Sequence, residues 1–173
     1  VVIISEGVTS RQISRNRKSA STDLSNLGQC ASNSAKILGV DNIELLDMPD
    51  NRLDSIDLLD VVKILESFVS KYKPTIIYTH HSGDVNIDHR RIHEAIVTAC
   101  RPIPGSHVKT ILSFEVASST EWQVPGSQPY FMPNWFVDIS KQLPRKLAAL
   151  DAYSSEMRPW PHPRSIQAVT HQA

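Results

Sequence analysis

The strongest constraint on the fold is an alternation between two hydrophobic periods. Short apolar runs, Val1-Val2-Ile3-Ile4-Ser5, Ile43-Glu44-Leu45-Leu46, Pro74-Thr75-Ile76-Ile77-Tyr78 and Val108 to Val116, alternate with longer stretches whose apolar residues recur every three or four positions. Runs of this length suit strands, and the longer period suits helices packed by one face. The order β-α-β-α-β-α-β predicts an α/β fold, a Rossmann-like parallel sheet flanked by helices.

The first helix is expected to start at Asp23 as N-cap, to carry Leu24, Leu27, Ala31, Ala35 and Leu38, and to end at Gly39. Ser55 is the expected cap of the second, with Ile56, Leu59, Val62, Leu65 and Tyr72 on its apolar stripe before Pro74. The third spans Arg91 to Cys100, its face marked by Ile92, Ile96 and Ala99. From Ser118 to Pro133 the chain reads as irregular surface structure, a candidate lid. Trp135 to Ile139 reads as a short strand or extended piece, and Ser140 as the cap of a helix bearing Leu143, Leu147, Leu150 and Tyr153. The proline-rich tail from Pro159 to Ser165 cannot be helical.

Composition narrows the class. With 173 residues, 40% of them hydrophobic, the chain supports one core, so residues 1–173 are expected to form a single domain. Lys plus Arg and Asp plus Glu both number 18, which provides no field to attract nucleic acid. No apolar run approaches the ~20 residues of a membrane span and no signal peptide is evident, so a cytoplasmic location is expected. Cys30 and Cys100 sit on apolar helix faces, as buried free thiols do.

Chemistry concentrates in Thr79-His80-His81-Ser82-Gly83-Asp84-Val85-Asn86-Ile87-Asp88-His89-Arg90, between a strand and a helix. Loops at the carboxyl ends of parallel strands are where open α/β sheets bind ligands. Histidine with carboxylate in one loop suits a divalent metal such as zinc, and neighbours such as Asp88 and His89 can divide the work of ligand and support. The ordinary alternative is a capping or hydrogen-bonded pair. Two other loops offer substrate contacts or plain surface structure. One is basic, with Arg11, Arg15, Arg17 and Lys18, and is expected to be mobile unless a ligand orders it; in the other, Asp50 and Asn51 serve as ligands or as turn formers.

Thr79-His80 followed by Asp84-Val85-Asn86-Ile87-Asp88-His89 resembles the second motif of the LmbE/PIG-L family of zinc-dependent N-deacetylases, T-H followed by D-x-(H or N)-x-D-H. Supporting matches are Ala35 to Val40, Met48 to Arg52, Phe114-Glu115-Val116, Ser118 to Trp122 and Pro161 to Ser165. The resemblance implies hydrolysis of the N-acetyl group of an N-acetylglucosamine-type sugar conjugate. It implies His89 as a zinc ligand and Asp88 as support for a group that stabilises the tetrahedral intermediate. Asn86 stands where many members carry a histidine; it donates a hydrogen bond but transfers no proton, which leaves His80 or His81 for that task. Arg11 and Asp50 are the expected substrate-binding residues.

The chain departs from the family's pattern at the front, where A-H-P-D-D-E supplies two more zinc ligands and the general base. The resemblance therefore implies an incomplete zinc site, absence of the family's first, central strand and of its final segment, and an inactive isolated chain. A gene fragment, a trimmed chain and a remnant with another role are the competing explanations. On the first strand's absence, the strands at Val1–Ser5 and Thr75–Thr79 are expected either to pair directly or to leave a position that another chain fills. The alternative function is a non-catalytic oligomeric or binding remnant, with a second copy filling that position. A metal-dependent phosphoesterase built on Asp88-His89 is disfavoured, because a two-metal site needs further carboxylates.

Overall fold

The computed structural model describes residues 1–173. Its elements run β1 (Val2–Ser5), α1 (Ser21–Leu38), β2 (Glu44–Met48), α2 (Leu58–Tyr72), β3 (Ile76–His80), α3 (Ile87–Ala99), β4 (Thr110–Phe114), α4 (Leu143–Asp151) and α5 (Ile166–Gln172). The predicted alternation is present. The chain divides into two compact units, Val1–Asp50 with Pro133–Ala173, and Asn51–Met132.

In the first unit β1 lies parallel to β2, with Val2 opposite Glu44 and Ile3 opposite Leu45. α1 packs on α4, and α4 on α5. Small buried residues at these helices, Ala31, Ala35 and Ala149, allow close approach. Gly39 ends α1 at φ 74°, where its N–H reaches the carbonyls of Ala35 and Lys36. The start differs from expectation: Ala20 is the N-cap, and Asp23 lies in the first turn, where its charge complements the helix dipole.

Ser140 is not the cap of α4 either. Its N–H and hydroxyl both bond Asp138 Oδ1, at 2.9 and 2.5 Å, and the helix starts at Leu143 with Pro144 in its first turn. Trp135, Phe136 and Val137 form no strand; no ladder pairs with them and all are exposed. α5 carries no sequence signal because 7 residues are too few to display a period. Its start is nonetheless defined, since Ser165 Oγ accepts from the Ala168 N–H.

In the second unit β3 lies parallel to β4, in register from Ile76 opposite Thr110 to His80 opposite Phe114. α2 and α3 pack together, and Val61, Val62, Leu65, Ala95 and Ile96 supply their buried side chains. Asp57, not Ser55, precedes α2; Ser55 closes a 3-10 turn by bonding the Arg52 carbonyl at 2.7 Å. β3 is not a strand buried throughout. Ile76 and Tyr78 are 50% and 65% exposed while Thr79 is 3% exposed, the alternation of a strand with one covered face.

Two boundaries bear on function. β3 continues through Thr79 to His80, and α3 begins at Ile87 instead of Arg91, so Asp88, His89 and Arg90 occupy its first turn. The parallel sheet is present as two parallel pairs, in which β1 pairs with β2 and β3 with β4. No helix is long and apolar enough to cross a membrane. Cys100 is a buried free thiol and Cys30 a half-buried one.

Candidate active site

Asn86 starts the site because it starts the helix. Its side-chain oxygen accepts from the N–H groups of Asp88 and His89, at 2.8 and 3.4 Å, and so caps α3. That use commits the oxygen and leaves the amide nitrogen as the end able to donate. The turn before it depends on Gly83: a Cβ there would lie 2.0 Å from the Pro129 carbonyl oxygen and 2.8 Å from His81 Nε2. His81 Nε2 lies 2.9 Å from the same carbonyl, and its ring meets Phe131 edge-on. The candidate lid is thus tied to this loop through Pro129 and Phe131.

Asp84 is the hub. Its side chain is fully buried, and its carboxylate accepts from the Ser119 hydroxyl, from Thr120 Oγ1 at 2.7 Å and from the Asn86 N–H at 2.8 Å. His89 Nδ1 stands 3.1 Å from Asp84 Oδ1. Burial alone would raise this carboxyl, but hydrogen bonds from His89, Ser119, Thr120 and the Asn86 N–H hold it well below the usual carboxylate range. Thr120 Oγ1 also accepts from the Val116 N–H at 2.7 Å, so the hub is tied to backbone just beyond β4.

The consequence for His89 is a choice of tautomer. A neutral imidazole with Nδ1 against a carboxylate carries its proton there, which leaves Nε2 with a free lone pair. This is the arrangement that suits a metal ligand or a base. His80 stacks on the His89 ring, with centroids 4.0 Å apart and planes 13° from parallel. Burial first, then the neighbouring His89, pushes the His80 imidazole down to about 4 against the opposing effect of Asp84, so His80 is neutral near pH 7. Its carbonyl accepts from His93 Nδ1 at 2.8 Å, while its own Nδ1 and Thr79 Oγ1 are buried without partners.

Asp88 has a definite structural task. Its buried carboxylate accepts from the N–H groups of Asn51 and Leu53, at 2.8 and 3.0 Å, and holds that turn against α3. Arg11 and Asp50 belong to the other unit. Asp50 accepts from the Ser10 N–H and hydroxyl at 3.2 and 2.5 Å, while the exposed Arg11 makes two 2.8 Å bonds to Glu156. The basic loop is ordered from within. Buried Glu6 receives Arg15 at 2.7 Å and Arg17 at 2.8 Å, and Arg17 also reaches Asp47.

As a zinc site the donor set is partial. His89 fits one ligand position, with Asp84 as the outer partner that orients metal-bound imidazoles. His80 cannot share an ion with it here, because nearly parallel stacked rings aim their in-plane lone pairs side by side. No group of three or more His, Cys, Asp or Glu side chains is arranged to hold a metal, whereas catalytic zinc takes three protein ligands.

Residues 1–100 match the family model described as PIG-L: GlcNAc-PI de-N-acetylase. The chain belongs to the PIG-L family. The family is generally metal-dependent, and the Asp84 to His89 stretch that forms the site lies within the matched residues. A curated relative, the uncharacterized deacetylase YaiS of Escherichia coli K12, is 30% identical over 129 residues, covering 71% of this chain and 62% of that protein. The chain thus spans less than two thirds of that relative's length. The crystal structure of the conserved protein TT1542 of Thermus thermophilus superposes with a TM-score of 0.68 at 17% identity, covering 99% of this chain and 70% of that one. That likeness shows the PIG-L chain's fold to be shared, its α/β architecture included.

Ser119 and Thr120 are the side chains at this candidate site that sequence reasoning did not assign. The signal was present: they follow β4 at its carboxyl end, the same position that marks the loop after β3.

Proposed function

We propose that this PIG-L chain carries part of the site of a zinc-dependent de-N-acetylase, which hydrolyses the N-acetyl group of an N-acetylglucosamine-type sugar conjugate. The observation that carries the reading is His89 Nδ1 held 3.1 Å from a fully buried carboxylate, which turns a lone-pair nitrogen outward. Membership of a family described by de-N-acetylation supplies the reaction class. The buried, unpartnered His80 Nδ1 and Thr79 Oγ1 support a site that takes a further polar group.

Zinc, when bound, polarises an amide carbonyl and makes water a stronger acid. In this reading His89 Nε2 holds the ion and Asp84 holds the ring. The Asn86 amide nitrogen donates toward the acetamide oxygen. His80, neutral and stacked on His89, borders the same space and excludes water from one side of it. Asp88 positions the turn at Asn51 to Leu53. With one imidazole in place, the 173-residue chain alone binds zinc weakly and is inactive. A second reading is a non-catalytic binding or oligomeric module on this fold.

Zinc titration of the wild-type chain and His89→Ala, with an assay for free amine released from an N-acetylglucosamine derivative, tests both. Weak zinc binding that disappears in His89→Ala, without amine release, is the expected result. Equal zinc binding by His89→Ala removes His89 from the site, and turnover by the chain alone overturns its inactivity. A single defined oligomer in a size measurement favours the second reading, and a monomer that aggregates favours the first.

A further inference from the structure

A cleft of about 530 Å³ runs along α3, lined by Ser82, Arg90, Arg91, His93 and Glu94, with Ile87 on its apolar side. Its charge is unbalanced, with two guanidinium groups against the carboxylate of Glu94. Their donors are also under-used. Arg90 spends Nη1 on the carbonyls of Asp84 and Val85, at 2.7 and 2.9 Å, and Arg91 spends Nη1 on Glu94 at 2.7 Å. A guanidinium has five N–H donors, so these bonds leave donors of both unused. Arg91 Nε is buried without a partner, a state that costs free energy until an acceptor arrives. His93 Nδ1 lies 2.8 Å from the His80 carbonyl and is committed there.

We propose that this cleft binds a phosphate group, as the free anion or as a phosphate ester of a small molecule. A tetrahedral dianion accepts from two guanidinium groups at once, whereas one carboxylate is satisfied by a single bidentate arginine. Ser82 supplies a neutral hydroxyl at the rim. The site needs neither a metal nor the proposed hydrolysis, so the failure of either leaves the other standing.

The test is an NMR titration of the metal-free chain at low ionic strength with inorganic phosphate, glycerol 3-phosphate and acetate. Shifts confined to Ser82 and residues 87–98 are expected with both phosphate probes, and the tighter of the two identifies ester or free anion as the ligand. Arg91→Gln should weaken phosphate about tenfold, the scale of a charge-assisted contact. Glu94→Gln, which removes the competing carboxylate from a half-exposed position, should tighten it severalfold. Opposite effects from two neighbouring substitutions are not a product of misfolding. Acetate binding as tightly as phosphate, no shifts in the cleft, or two variants indistinguishable from wild type would each overturn the proposal.

Discussion

Asp84→Ala removes the acceptor on which the loop and the start of α3 converge. The buried carboxylate receives the Ser119 hydroxyl, Thr120 Oγ1 at 2.7 Å, the Asn86 N–H at 2.8 Å and His89 Nδ1 at 3.1 Å. Hydrogen bonds to a charged group are worth about 1.5–3 kcal/mol each, and a buried donor left unpaired costs about 1–3 kcal/mol. The four losses do not add. The hydroxyls can rotate and water can enter the vacated space, so the fixed donors on Asn86 and His89 dominate and the net cost is about 3–5 kcal/mol. Urea unfolding followed by fluorescence reads the change, because Trp122 ends the 3-10 turn that begins at Thr120. With a slope of about 1–3 kcal/mol per molar urea, the midpoint should fall by about 2 M. Asp84→Asn keeps the shape and one carbonyl oxygen, and should lose roughly half as much. A midpoint for Asp84→Ala close to wild type, with Ser119→Ala and Thr120→Val equally silent, would refute the assignment of Asp84 as hub.

Gly83→Ala places a methyl group 2.0 Å from the Pro129 carbonyl oxygen, so backbone must move and stability should fall by about 1–3 kcal/mol. An unchanged melting temperature would contradict that close approach. Asn86→Ala loses the cap of α3 and should cost about 1 kcal/mol, with Asn86→Ser recovering most of it; equal losses in the two variants count against capping. Glu6 is held below its ordinary value of 4.5 chiefly by the Arg15 hydrogen bond, opposed by burial and helped by Thr9 and Arg17. A depressed carboxylate contributes stability that is complete above about pH 4.5 and is lost as pH falls through its folded value. Glu6→Gln should therefore be less stable at pH 7 and show a shallower loss below pH 4.5, and parallel stability curves for the two proteins would show that Glu6 contributes nothing.

Much of the fold was legible because it rests on local rules. The alternation of short apolar runs with helical periods predicted the order of elements from β1 to β4, and Gly39 marked the end of α1 through the left-handed conformation a C-cap requires. Starts were less legible than ends. Asp23, Ser55 and Ser140 all have capping chemistry, yet none caps its helix: Asp23 lies inside the first turn, and the two serines bond turn partners instead. Trp135 to Val137 has strand composition without a partner to pair it.

The candidate site divides along the same line. Residue types and spacing in Thr79 to Arg90, by themselves, marked the candidate site and the family it resembles, since motif residues are close in the chain and their order survives any packing. Tertiary structure alone decided what each residue does there. It set Asp84 as the buried partner of His89, gave Asp88 to the Asn51 to Leu53 turn, spent the Asn86 oxygen on a helix cap, and brought Ser119 and Thr120 across more than thirty positions to the hub. The physical reason is that a polar side chain's role follows from the acceptor or donor it meets once buried, and distant segments supply that partner only when the strands align.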